Sequence, residues 1–466
     1  MIKQLPDLRL VIIFCLLMGI LGACQQPSGE SSAEESPALS LKEEVAYELE
    51  KTLLGAWYPR TIDSLHGGFL TNFAYDWQPL ENQDKMIVTQ ARHLWTLSKV
   101  AALYPEEPLH AEAARHAYVF LTGKMWDEQF GGFYWLVSRA GEPILDDANN
   151  QLKRVYGNAF AIYGLAAYYD LTEDEEVLKK AQLAFRWMDE HAHDPELLGY
   201  ISTLNREGAP IDSSMFAENY PMESYFYKDQ NTSIHVLEAL TELYHVWPDD
   251  TLEARLREMF HLVRDSMVTD KGYLRLFFYD DWTPISYQDS AQEVRKAKYG
   301  IDHVSFGHDI ETAYLLLEAS EALEEYEYEQ TLQKARQMVD HTLRWGFDPG
   351  ISGIYDRGYY VDGQDSVEII FDHKNWWSQS EGLNSLYLFS TLFPEEERYR
   401  REFDRLWNYT KNYLIDHEHG GWYPNGLDTD PEAAKSRKAQ AWKGNYHNGR
   451  ALMNLLKMME LEKEAL

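Results

Sequence analysis

"FGGFYWL", residues 130–136, joins two glycines to a run of aromatics, and the pattern returns along the chain. Gly67-Gly68-Phe69, Gly131-Gly132-Phe133, Gly199-Tyr200, Gly272-Tyr273, Gly353 with Tyr355, and Gly420-Gly421-Trp422 recur at intervals of roughly 65–80 residues. Recurrence on that scale signals stacked supersecondary units, none of which can bury its apolar face alone. One amphipathic helical pattern precedes each marker, and another follows it after a loop. The helices after the markers start near Met86, Val155, Asn231, Phe306, Asn375 and Tyr446 and are strongly apolar, as in "AFAIYGLAAYY" and "LNSLYLFSTLF". Those before the markers are more charged, as in "EARLREMFHLVRD". One set reads as buried on most sides, the other as exposed on one side. Twelve helices in alternating inner and outer layers predict an all-α fold, an (α/α)6 barrel. Short β-hairpins and long loops are expected at one rim. Glycine permits the tight turn at each marker, and the aromatic covers the rim.

Of the 466 residues, 45% are hydrophobic, which suits a globular chain, and the formal charge is −33. Like-charge repulsion excludes nucleic acid and anionic membrane surfaces as partners and leaves neutral or cationic ligands. The chain has 14 Trp and 31 Tyr, enough to build a core and also flat platforms for sugars. The amino terminus does not belong to the barrel. Lys3 and Arg9 precede an apolar stretch, Leu10 to Leu21, that is too short to span a bilayer comfortably. "LGAC" follows and resembles a bacterial lipobox, with Cys24 as the lipidated residue. The expected organisation is a lipoprotein signal peptide over 1–24, a flexible acidic tether over 25–40 and the barrel over 41–466. The expected location is the bacterial cell envelope, periplasmic or anchored at the outer membrane, with attachment through the lipid alone. A monomer is expected. Cys15 leaves with the signal, so no thiol remains for nucleophilic or redox chemistry.

The connections from marker to inner helix are the long ones, so all six, and all six inner-helix starts, lie at one end of the barrel. Those starts are rich in polar and aromatic side chains. The first carries Gln90, Arg92, His93 and Trp95; the second Tyr156 and Asn158; the third Asn231, His235 and Glu238. The fourth carries His308 and Glu311; the fifth Trp376, Trp377, Gln379 and Glu381; the sixth Trp442, His447 and Arg450. Three imidazoles that can exchange protons near neutrality converge on one mouth. There is no Gly-x-Ser-x-Gly elbow, P-loop or dinucleotide-binding glycine motif. His308 and Glu311 share a helix face and read as a hydrogen-bonded pair rather than metal ligands. Neither metal nor cofactor is expected. Adjacent tryptophans on a helix point 100° apart, so one of Trp376 and Trp377 should face a ligand fully. Arg450 reads as the partner of a wall carboxylate, and Asp309 as a first-turn acid complementing the helix dipole.

"SFGHDIETAYLLLEA", "NTSIHVLEALTELY", "HKNWWSQSEG" and "WKGNYHNGR" resemble signature segments of the N-acylglucosamine 2-epimerase superfamily, in its cellobiose 2-epimerase branch. The likeness runs from about residue 45 to the end and implies the same barrel. It implies epimerisation at C2 of the reducing-end sugar of a β-linked disaccharide or oligosaccharide through an enediolate, on a neutral substrate and without cofactor. By that resemblance His308 and His447 exchange the C2 proton, His235 assists ring opening or binds the sugar oxygen, Arg92 faces the enediolate oxygens and Glu311 orients or tunes a catalytic histidine. Asn231, Trp376, Trp377, Trp442, Tyr156, Asn158 and Glu381 are implied on the substrate. Aldose–ketose isomerisation uses the same intermediate and is the alternative. An (α/α)6 glycoside hydrolase is the alternative from another reaction class. The apparent lipid anchor departs from the cytoplasmic members and leaves the substrate less defined than the reaction.

Overall fold

A computed structural model describes residues 39–145, 152–211, 227–361 and 364–465. The expected signal peptide, Cys24 and nearly all of the expected tether lie outside them. From Leu41 onward the chain forms one compact unit. Six inner helices, Ile87–Leu103, Val155–Thr172, Gln230–Val246, Phe306–Ala322, Trp376–Leu392 and Tyr446–Ala465, start within one residue of the expected positions. Residues 41–57, 108–125, 175–192, 250–267, 328–345 and 397–414 form the outer layer. Burial separates the two sets. Every residue from Val155 to Tyr168 of the second inner helix is buried. Glu175–Ala192, outside it, buries only a stripe that includes Val177, Ala181, Ala184 and Met188. The ring closes where Trp422 Nε1 donates to Glu48 at 2.6 Å, Trp407 Nε1 donates to Glu44 at 2.7 Å and Lys42 pairs with Glu460. The fold is the (α/α)6 barrel.

The rim is stitched by short antiparallel ladders. Lys85–Met86 pairs with Leu136–Val137, Lys153–Arg154 with Thr203–Leu204, and Lys228–Asp229 with Phe277–Phe278. Each leads into an inner helix, so the ladder of one unit sets where the next unit's hairpin stands. The fourth ladder is larger: Val304–Ser305, Arg357–Tyr360 and Val367–Phe371 make a three-stranded sheet. A rim helix, Gln292–Asp302, precedes it. Neither was expected from periodicity.

A second repeat underlies the first. The lysine ahead of an inner helix meets the aspartate of the preceding marker turn, as Lys85–Asp63 and Lys153–Asp127 at 3.0 Å, Lys228–Asp194 at 2.9 Å and Lys374–Asp348 at 2.7 Å. Lys438–Asp416 closes the set. Each of these aspartates also accepts two backbone N–H groups of its own turn, as Asp63 does from Leu65 and His66. A side chain in the first turn of the inner helix clamps the marker itself. Gln90 and Gln379 bond both backbone groups of Phe69 and Ile354. Asn158 accepts from Phe133 N–H and Asp309 from Leu274 N–H.

This corrects two expectations. Asn158, placed on the substrate by resemblance, holds the Phe133 hairpin and donates to Arg154 O. Asp309 is fully buried, and burial lifts its carboxyl well above the usual range. It therefore serves as a protonated stand-in for the amide used at the equivalent sites, not as a dipole-complementing anion.

Candidate active site

At the rim end of the barrel axis lies a cavity of about 190 Å³ lined by Arg92, Tyr156, Asn231, His235, His308, Glu311, Trp376, Trp377, Trp442 and His447. These come from all six inner-helix starts or the loops just before them. Ten of the twelve residues expected in the site therefore meet. Both tryptophans of the fifth helix reach the wall, because the cavity wraps around that helix start.

His308 and His447 stand on either side of Trp377, with ring centroids 4.7 and 5.7 Å from it. Their supports differ. His308 Nδ1 bonds Ser305 Oγ at 2.8 Å. His447 Nδ1 bonds Glu381 Oε1 at 2.6 Å, with Glu311 Oε1 at 3.9 Å. His235 Nδ1 bonds Glu238 Oε2 at 2.8 Å. Each ring has its Nδ1 tied back, which leaves Nε2 to act. Burial pushes His308 well below the ordinary imidazole value, and the neighbouring rings of His235, His303 and His447 push the same way. Burial, then Arg92, does the same to His447, against the pull of Glu311. An imidazolium here is disfavoured until an anion forms beside it.

Arg92 supplies fixed positive charge. Its Nη2 donates to Tyr156 Oη at 3.0 Å, and its guanidinium lies 4.3 Å from the Phe160 ring centre and 4.8 Å from that of Tyr446. It makes no ion pair with any described residue, so its charge is available to the cavity. Glu381, expected on the substrate, stands behind the wall and reaches the cavity only through His447. Glu311 follows His308 in sequence but leans on His447 and Arg450 instead. Between Glu311 and Glu381, at 2.6 and 2.7 Å, sits Nη2 of Arg450, so a protein cation occupies the place a metal ion would take between these acids.

A second cavity of about 180 Å³ adjoins the first through Tyr156, Asn231 and Trp442. Trp135, Arg154, Asp229 and Phe277 also line it. Trp442, 46% exposed, forms the lip between the two. Trp135, Phe277 and the role of Glu238 were missed by the sequence reading. For Glu238 a signal existed: His235/Glu238 repeats the spacing of His308/Glu311.

The family profile of N-acylglucosamine 2-epimerase (GlcNAc 2-epimerase) matches residues 67–451. The chain belongs to the N-acylglucosamine 2-epimerase family. Within it, the chain is 30% identical over 425 residues to a cellobiose 2-epimerase of Bacteroides fragilis, covering 89% of this chain and 98% of that one. It is 25% identical over 430 residues to a D-mannose isomerase of Marinomonas mediterranea, covering 91% and 99%. The solved cellobiose 2-epimerase of Spirochaeta thermophila superposes with a TM-score of 0.76 at 29% identity, over 90% of this chain and 96% of that one. His308, His447 and Arg92 line one cavity of this barrel.

Proposed function

We propose that this protein inverts C2 of the reducing-end sugar of a β-linked disaccharide or longer oligosaccharide. The observation that carries the reading is the pair His308 and His447 across Trp377, with the Arg92 guanidinium, which meets no carboxylate among the described residues, in the same cavity. On the open-chain sugar, the ring that starts neutral takes the C2 proton. The C–H electron pair becomes the C1=C2 bond, and the carbonyl pair moves onto O1. Arg92 faces that negative charge. The facing ring, carrying its proton on Nε2, returns it to the opposite face of C2, and C1=O re-forms. Turnover exchanges the protonation states of the two rings, so the starting state selects the direction. His235, with Nδ1 held by Glu238, offers Nε2 to the ring oxygen or O1 during opening.

The second cavity, which shares Tyr156, Asn231 and Trp442 with the first, supports a substrate of at least two sugars, with Trp442 as the stacking surface between them. The relationship to a D-mannose isomerase keeps aldose–ketose isomerisation as the second reading, since only the carbon that receives the proton differs. Hydrolysis fits poorly. Its two carboxyls must flank the scissile bond about 5–10 Å apart. Glu311 and Glu381 instead share one guanidinium nitrogen, with no room for a sugar between them. We further propose that the chain acts as a monomer in the cell envelope, lipidated at Cys24. Mass spectrometry of detergent-extracted protein, with Cys24→Ser as control, tests the lipid.

The decisive experiment is proton NMR of the purified protein with cellobiose, and separately mannobiose, in D2O. Deuterium at C2 with the epimer appearing and chain length unchanged is expected, and His308→Ala and His447→Ala should each abolish it. A ketose product moves the assignment to isomerase. Free monosaccharides move it to hydrolase.

A further inference from the structure

Arg450 is fully buried one turn beyond Tyr446 on the sixth inner helix, and it does not line either cavity. Its Nη1 contacts Glu238 and, at 2.6 Å, Tyr446 Oη; its Nη2 holds Glu311 at 2.6 Å and Glu381 at 2.7 Å. Carboxylates from the third, fourth and fifth inner helices thus meet one guanidinium from the sixth. Two of them, Glu238 and Glu381, each carry a histidine of the site on Nδ1.

We propose that Arg450 is a positioning residue that sets the tautomer of two site histidines at once, holding His235 and His447 as Nδ1–H rings with Nε2 lone pairs turned to the cavity. The argument is one of donors and acceptors. A carboxylate only accepts, so an imidazole bonded to it through Nδ1 must donate there. Three buried acids in one place repel, and burial favours their neutral forms. A proton settling on Glu238 or Glu381 would turn that acceptor into an O–H donor. The ring would then accept at Nδ1 and carry its hydrogen at Nε2, and a base would become a donor. Arg450 opposes this by placing positive charge on all three acids; burial still lifts Glu381 above the ordinary carboxylate range, with Arg450 the leading pull against it. Burial opposes ionisation of Glu238, but Arg450 leads the influences that hold it down, to about 2. The other groups facing the cluster are Arg92, Tyr156, Tyr163, His308, Tyr314, Glu318 and Glu242. Among these acids and rings Arg92 is the only other cation, and it points to the cavity.

The kinetic consequence rests on the epimerase reading; the tautomers do not. The test is long-range 1H–15N NMR of 15N-histidine-labelled protein, with His235→Gln and His447→Gln spectra used to assign the two rings. Both should show protonated Nδ1 and unprotonated Nε2. Arg450→Gln should switch both to Nε2–H and lower kcat by about 10²-fold or more, with KM held within about threefold. Arg450→Lys, a single ammonium that reaches only one side of the cluster, should switch one ring and spare the other. Nε2–H rings in the unmodified protein, or both rings unchanged in whichever variant folds, overturn the proposal. Tautomers that behave as expected in a protein that puts no deuterium at C2 of any sugar overturn the epimerase reading instead.

Discussion

Glu381→Gln separates a residue that touches sugar from one that acts through His447. Glu381 is fully buried, and its Oε1 receives both His447 Nδ1 at 2.6 Å and Arg450 Nη2 at 2.7 Å. Gln is nearly the same shape, so the cavity keeps its walls. What changes is the response to charge on His447. When that ring is an imidazolium in the transition state, Glu381 makes it a charge-assisted hydrogen bond, worth about 1.5–3 kcal/mol. An amide carbonyl recovers only part of this. At about 1.36 kcal/mol per tenfold in rate, complete loss would be about 10- to 150-fold in kcat, so Glu381→Gln should fall below that ceiling while still lowering kcat severalfold. KM should move by less than about threefold, because no sugar hydroxyl is expected to lose a partner. Steady-state epimerisation and C2 deuterium wash-in, over a series of cellobiose concentrations, give both constants. Unchanged kcat with a tenfold higher KM would return Glu381 to the substrate and refute the reasoning.

Three further outcomes follow from other parts of the molecule. Trp442→Ala removes the exposed lip between the two cavities; stacking of about 0.5–1.5 kcal/mol predicts KM for a disaccharide up by about 2- to 10-fold with kcat kept, and equal loss of both constants would contradict the platform role. Asp309 is held protonated by burial, whereas in the unfolded chain it ionises near 3.9, so its contribution to stability is whole below that value and is lost as pH rises toward its folded pKa, by about 1.4 kcal/mol for each unit crossed. Asp309→Asn keeps the acceptor for Leu274 N–H and should raise the melting temperature more at pH 8 than at pH 5.5; equal shifts at both would show an ionised Asp309. Lys153→Met leaves the buried Asp127 carboxylate with the partly exposed Arg206 as its cation and two backbone N–H groups of its turn, and the usual cost of breaking a buried pair, about 3–5 kcal/mol, should appear in thermal unfolding near its lower end, while an unchanged melting temperature would mean the rim pairs are dispensable.

The barrel was legible because it is periodic. A Gly–aromatic turn every unit and an alternation of apolar and one-sided helices are local properties, and twelve such helices have few ways to bury their faces. The positions of His235, His308, His447 and Arg92 were legible for the same reason: a side chain at the start of an inner helix must stand at the common mouth. The second repeat, aspartate in the marker turn with lysine before the next helix, was also written in the chain. It escaped notice because its two members lie some 20–35 residues apart and look like ordinary surface charges.

Partnership was not legible, because it depends on rotation about the barrel axis. His235/Glu238 and His308/Glu311 have identical spacing, yet Glu238 serves its own histidine while Glu311 turns to Arg450 and His447. Helical spacing puts a histidine and a glutamate on one face; it does not say which neighbouring helix brings the better partner to that face. Asn158 and Glu381 carry types that suit sugar binding, and only packing shows one hydrogen-bonded to a hairpin and the other to a ring. The sequence by itself determined the repeat, the layers and the mouth at which the ionisable groups collect. The tertiary structure alone decided which acid holds which histidine, because those bonds join the third, fourth, fifth and sixth helices across a buried space where one guanidinium distributes the charge.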